Sequence, residues 1–157
     1  MTRFIGEYEC TIDSKGRFIL PAQLKKQVPQ EADGQFVVSR GFEKCLVMYP
    51  RHEWDSISDE INKLNPYIKE NREFIRYFFR GATEISLDSA TRLLLPKSLM
   101  EYAGINKDIV LFTHTNKIEI WDAKTYNNLL NQEPEDFSKL AEKVMGKPKD
   151  TNPNDGN

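Results

Sequence analysis

From Tyr8 to Ile12 apolar and polar side chains alternate, and after Asp13-Ser14-Lys15-Gly16 an apolar run resumes at Arg17-Phe18-Ile19-Leu20. Period-two alternation interrupted by turn residues predicts a β-hairpin. Asp13 is placed to accept a bond from the backbone two residues on, and Gly16 to supply the positive φ of a type I turn with a bulge. Pro21 stands at the first position of a short helix over 22–27, which Pro29 halts. A second hairpin is predicted from Gln35-Phe36-Val37-Val38-Ser39, a turn at 40–44 and Cys45-Leu46-Val47-Met48-Tyr49, runs rich in Val and aromatics. From Pro50 the period changes. Trp54, Ile57, Ile61 and Leu64 recur at spacings of three and four, predicting a helix that Asn65-Pro66 restarts over 67–80.

The same pattern then returns. Gly6 to Leu24 aligns without a gap on Gly81 to Leu99, 75 positions later, with Glu9, Asp13, Ser14, Arg17, Leu20 and Pro21 matched by Glu84, Asp88, Ser89, Arg92, Leu95 and Pro96. Pro96 opens a helix over 97–103 that Gly104 stops, and Ile109-Val110-Leu111-Phe112-Thr113 leads through a turn at 114–117 into Ile118-Glu119-Ile120-Trp121. Each unit therefore reads ββαββ, in an α+β chain. Asp122 caps a further helix over 123–131, and Pro134 precedes another over 135–145. The expected organisation is a first module at 1–50, connecting helices at 51–80, a second module at 81–122, C-terminal helices at 123–146 and a disordered polar tail at 147–157. Two units of about 50 residues are each marginal alone, so they are expected to share one core.

Composition narrows the class. Hydrophobic residues make up 39% and charged residues 29%, and no apolar run approaches the length needed to span a bilayer, so no membrane association is expected. The first seven residues lack the apolar stretch of a signal peptide, and Cys10 and Cys45 sit in strand-like surroundings that suit reduced thiols, which together predict cytosolic residence. The formal charge of −2 runs against nucleic-acid binding by bulk electrostatics. Its distribution points the other way. Up to residue 28, Arg3, Lys15, Arg17, Lys25 and Lys26 outnumber Glu7, Glu9 and Asp13, so the acidic excess lies downstream.

The repeated Asp-x-x-x-Arg, Asp13 with Arg17 and Asp88 with Arg92, is the sharpest chemical signal. Across a turn of that length the carboxylate can fold back onto backbone N–H groups or reach the guanidinium, a structural role expected for both aspartates. Arg17, beside a glycine-bearing cationic tip, is also placed to meet phosphates or the O6 and N7 of guanine. Arg92 follows Ala90-Thr91 in place of Lys15-Gly16, so its turn is less basic and expected to differ in shape; it is read as structural. Lys69, Arg72, Arg76 and Arg80 fall along one helical stripe, which reads either as a secondary phosphate contact or as a solvated face pairing with acidic residues of a neighbouring subunit. Tyr67, Phe74, Tyr77, Phe78 and Phe79 are too many aromatics for one exposed helix and are expected in a core and a subunit interface. His52 and His114 have no companions at metal-ligand spacing, no glycine-rich loop follows a strand, and no Ser-His-Asp or Cys-His pattern has local support. No catalytic residue, metal or cofactor is expected, and the chain is read as a non-enzyme.

Two Asp-x-x-x-Arg motifs, each between an apolar strand and a Leu-Pro helix start, together with Gly6-Glu7-Tyr8-Glu9 and Asp13-Ser14-Lys15-Gly16-Arg17, resemble the MraZ family from Arg3 to about Met145. The resemblance implies two swapped-hairpin modules similar to AbrB, forming one pseudo-symmetric β-barrel core with peripheral helices. It also implies a cytoplasmic, nucleoid-associated transcriptional regulator of the division and cell wall gene cluster. Such a regulator binds double-stranded DNA at promoter repeats as a ring-like homo-oligomer. Lys15, Gly16 and Arg17 then match the positions expected to face DNA, with Arg3 a neighbour. The second motif departs from that pattern at Ala90-Thr91. The rival reading is a non-catalytic assembly scaffold whose basic turn binds an acidic protein.

Overall fold

Alternating segments need a partner edge for their backbone groups, and the two copies of this chain find it in each other. A computed structural model describes residues 2–131 and 137–146. The elements run β1 (Glu7–Thr11), β2 (Arg17–Ile19), α1 (Ala22–Lys25), β3 (Gln35–Arg40), β4 (Leu46–Pro50), α2 (Arg51–Ile61), α3 (Lys69–Phe79), β5 (Thr83–Ser86), β6 (Arg92–Leu94), α4 (Lys97–Ala103), β7 (Asp108–His114), β8 (Lys117–Asp122), α5 (Ala123–Leu130) and α6 (Phe137–Met145). Six strands form one antiparallel sheet in the order β1-β7-β8-β4-β3-β5, and β2 and β6 form a second, two-stranded one.

The second hairpin of each unit forms as its pattern predicts, β3 with β4 and β7 with β8. The first does not. β1 runs along β7 of the other copy, from Glu7 opposite Phe112 to Thr11 opposite Asp108, and β5 runs along β3, from Gln35 opposite Ser86 to Val38 opposite Thr83. β2 pairs with β6, placing Arg17 opposite Leu94, Phe18 opposite Leu93 and Ile19 opposite Arg92. Within the first copy, β1 and β2 are joined across their turn by a bond from Asp13 N to Arg17 O (2.8 Å) and then part. Alternation identifies a strand with one buried face; it does not say whose edge that strand will pair with.

The exchange builds a single core from both copies. Phe18, Leu20, Leu24, Phe36, Leu46 and Met48 of the first are fully buried with Leu93, Leu99, Ile109, Leu111, Ile118 and Ile120 of the second. Each such side chain contributes about 1.5–3 kcal/mol on burial, and neither copy can supply enough alone. One compact unit accordingly runs through both copies to Tyr126. Phe4, which the alternation pattern did not mark, is also in this core, held where its N–H donates to Thr115 O (2.6 Å).

The helices follow their signals closely. Gly104 stops α4 in a left-handed conformation (φ 64°), and Asp122 caps α5 by accepting from Thr125 N (3.3 Å) while also receiving Asn106 N (3.1 Å). Trp54 of α2 stacks on Phe78 of α3 at 5.5 Å and meets Phe79 edge-on at 5.6 Å, so part of the predicted aromatic set packs as expected. Tyr67 and Tyr77 stay exposed on the single chain, the part of the set left for the expected subunit interface. A second unit, from residue 127 onward, contains α6, whose Phe137, Leu140, Val144 and Met145 recur at helical spacing. The expected tail at 147–157 and the predicted start of the last helix at 135–136 lie outside the described residues.

Candidate functional site

The first turn is a closed hydrogen-bonded unit built around one carboxylate. Asp13 Oδ1 accepts from Lys15 N and Arg17 N (both 2.9 Å), and Oδ2 receives Arg17 Nε (2.8 Å). Gly16 N donates to Asp13 O (3.0 Å), and Gly16 takes the positive φ (89°) that the pattern demanded. The backbone bond from Arg17, with Arg17's guanidinium and the Lys15 N–H, holds the Asp13 carboxyl below its ordinary value. Arg17 is thus anchored through Nε alone, and no other bond of its guanidinium falls among the described residues. Its two terminal nitrogens are aimed by a rigid turn and remain available, the arrangement that bidentate recognition of phosphate or guanine requires. Lys15 is exposed at the tip.

The second turn reproduces this geometry. Asp88 accepts from Ala90 N and Arg92 N (both 2.9 Å) and from Arg92 Nε (2.8 Å), and its carboxyl is lowered in the same way, by the Arg92 backbone bond first. The expected difference in shape is absent. Thr91 adopts the left-handed conformation (φ 62°) that Gly16 takes in the first copy, despite the cost of that region for a β-branched residue. What differs is charge at the tip, Ala90 against Lys15.

Pairing of β2 with β6 sets the two arginines on one surface. Phe18 and Leu93 point into the core, so Arg17, Ile19, Arg92 and Leu94 share the opposite, outward face of the ribbon. Ile19 is 62% and Leu94 52% exposed, an unusual placement for strand aliphatics, and each stands directly opposite an arginine, Ile19 against Arg92 and Leu94 against Arg17. The ladder brings the two motifs, 75 positions apart in the chain, onto one ribbon.

Other predicted positions are dispersed. Arg3 is exposed but sits between buried Thr2 and Phe4, near Thr115, at the opposite end of β1 from Lys15, so it is not the neighbour of the first turn that was expected. Of the basic stripe, Arg72 donates to Pro66 O (2.9 Å), Lys69 lies 3.9 Å from Glu73, and Arg80 has left the helix for an extended conformation. Arg76 is exposed on α3. Arg80 lines a cavity of about 550 Å³ with Phe42, Tyr77, Phe78 and Arg40; Phe42 is 87% exposed and Arg40 lies 4.5 Å over the Tyr102 ring.

Two features escaped the sequence reading. His52, near the start of α2, binds Thr2 Oγ1 (3.3 Å) and stands 3.4 Å from Glu31, while Glu53 receives Asn116 Nδ2 (2.9 Å) and Thr2 N (3.3 Å). Together they fasten the N-terminal segment. Tyr126 donates to Glu7, which ties the start of α5 to β1, and burial with that carboxylate pushes the phenol upward. Both depend on residues distant in sequence, and no local spacing announces them. Burial raises the Cys10 and Cys45 thiols to about 11 and about 12, so both are unreactive as thiolates. No group of His, Cys, Asp and Glu able to hold a metal occurs among the described residues, and no helix among them is long and apolar enough to cross a membrane.

Comparison with known proteins agrees with this duplicated architecture. The family described as "MraZ protein, putative antitoxin-like" matches twice, at residues 3–77 and 78–147. The chain is 46% identical to a protein of Flavobacterium psychrophilum named transcriptional regulator MraZ, over 93% of this chain and 94% of that one. It is 44% identical to the protein of that name from Cytophaga hutchinsonii (90% and 94% covered) and 38% identical to that from Halothermothrix orenii (88% and 94%).

Proposed function

Because the chain belongs to the MraZ family, we propose that it is a DNA-binding transcriptional regulator that grips a promoter duplex with its first Asp-x-x-x-Arg turn. The observation that carries the reading is the Asp13–Arg17 turn: a rigid, exposed loop that holds Arg17 by one nitrogen and presents Lys15 beside it. A two-stranded ribbon fits the major groove, and β2 with β6 supplies one whose outer face bears Arg17. Asp13, Asp88 and Arg92 serve the frame, Lys15, Gly16 and Arg17 the contact; Arg3, Arg72, Arg76 and Arg80 are at most separate phosphate contacts. The exchanged β1 and β5 support a swapped-hairpin barrel reading in which each module is completed by the other.

One turn neutralises few phosphates, so useful affinity needs several subunits on repeated sites, where effective concentration multiplies weak contacts. The exposed Phe42 and Tyr77 beside the aromatic cavity support a homo-oligomer. The proposed targets are repeats upstream of the division and cell wall gene cluster, which would place the protein at the nucleoid.

Gel-shift titration of that upstream DNA against a scrambled duplex at two salt concentrations tests the proposal. Arg17→Ala in the intact assembly is expected to abolish the preference for the upstream DNA, while Arg92→Ala lowers thermal stability or assembly more than it changes contacts. Full, salt-sensitive binding by the Arg17 variant would sink the reading. Binding to an acidic protein without sequence preference for DNA would favour the scaffold instead.

A further inference from the structure

The strand exchange carries lysines of the second repeat to the first turn. Ile12 N donates to Lys107 O (2.7 Å) and Leu95 N to Gly16 O (2.9 Å), which sets Lys107, just before β7, and Lys97, the first residue of α4, on either side of residues 13–17. Lys15, Lys97 and Lys107 line one open cavity of about 720 Å³, and Lys15 and Lys97 also line a neighbouring one of about 560 Å³ with Glu84. All three lysines are exposed, and none forms an ion pair with a described residue. Of the carboxylates around them, Asp13 is bound by Arg17 (2.8 Å), Glu84 by Arg51 (2.6 Å) and Asp108 by the hydroxyl of Thr11 (3.4 Å), while exposed Glu101 stands one turn beyond Lys97 on α4.

The second turn provides an internal control. Its matching backbone bonds run from Leu87 N to Gly34 O (2.9 Å) and from Leu20 N to Thr91 O (3.0 Å). By that equivalence Gly34 stands where Lys107 does, Ala22 where Lys97 does and Ala90 where Lys15 does; Lys25 replaces Met100 and runs the other way. At the positions that line the cavity the first turn therefore gathers three lysines, two of them from the opposite repeat, and the second has one, with Lys26 standing on its helix where the first has Glu101. Like charges gathered around one open cavity without ion-pair partners repel one another, and a polyanion relieves that repulsion.

We infer that Lys97 and Lys107 form, with Lys15, a composite phosphate-binding surface for the nucleic-acid backbone, assembled across the two repeats around the Asp13–Arg17 turn. The inference rests on the DNA-binding reading above. Lysine serves as a point charge for phosphate, so these residues supply affinity and salt dependence while Arg17 supplies register and preference.

The test measures binding of the full-length chain across a salt series, on the upstream duplex and on a mixed-sequence duplex. For Lys97→Ala with Lys107→Ala, the slope of log K against log salt is expected to flatten by about 1.8, roughly 0.9 for each phosphate no longer neutralised. The flattening should be equal on both duplexes, with preference for the upstream DNA retained. The Lys→Arg pair should restore the slope, the Lys→Gln pair should repeat the flattening, and Lys25→Ala should leave the slope unchanged. An unchanged slope in both neutral pairs, or an equal flattening from Lys25→Ala, overturns the composite surface while leaving the regulator reading intact. A wild-type chain without preference for the upstream duplex overturns that reading instead.

Discussion

Asp13 and Asp88 show how much a single side chain settles here. Each satisfies two backbone donors and one guanidinium, so each turn is shaped locally, from five consecutive residues, whatever the rest of the chain does. Their carboxyls lie below the ordinary 3.8 in the folded chain, chiefly through the backbone bonds of Arg17 and Arg92. A group lowered on folding stabilises fully above its unfolded value and loses that contribution as pH falls through the folded one. The turns are therefore expected to keep their shape down through pH 3.8 and to open only below it. Carboxyl carbon shifts followed by NMR should titrate with midpoints under 3.8 for both residues; midpoints at or above that value would contradict the bonding described. The Thr91 result belongs to the same scale: the chain accepts a β-branched residue at a left-handed position because Asp88 closes the turn around it.

At the scale of elements, the ribbon of β2 and β6 is three residues long on each side, too short to persist without its core face. Phe18 and Leu93 lie directly opposite and are 1% and 0% exposed. Phe18→Ala is expected to cost about 3–5 kcal/mol, read as a shift of the denaturant midpoint. Combined with Leu93→Ala the losses should deviate from additivity by about 0.5–3 kcal/mol, since the two side chains share one site. Additive losses would mean that the strands do not pack as a pair. The hairpins of β3 with β4 and β7 with β8 were readable from composition because short turns enforce local pairing. β1 and β2 misled because their turn closes locally while each strand finds its ladder partner in the other repeat, β1 on β7 and β2 on β6.

For the whole molecule the exchange makes the repeats interdependent. A fragment of residues 3–77 lacks β7 for β1 and β6 for β2, and one of residues 78–147 lacks β3 for β5. Each alone should show little ordered structure by circular dichroism, or pair with a second copy of itself, and mixing the two should restore the native spectrum. A monomeric, cooperatively folded half would refute the shared core. The family match divides the chain at 77 and 78 by descent, whereas the compact unit runs unbroken to Tyr126 by packing. The amino-acid sequence by itself determined the duplication, the type of nearly every element, the two Asp-x-x-x-Arg turns and the cationic tip at Lys15, because periodicity, capping and turn chemistry act within a few residues. Tertiary structure alone decided which edge each strand joined, that Arg17 and Arg92 share one face, that Arg3 lies away from the turn beside a buried Phe4, and that Lys97 and Lys107 stand at Lys15. Backbone donors and acceptors are alike in every strand, so the choice among edges rests on which arrangement fills one core, and that is a property of all the residues at once.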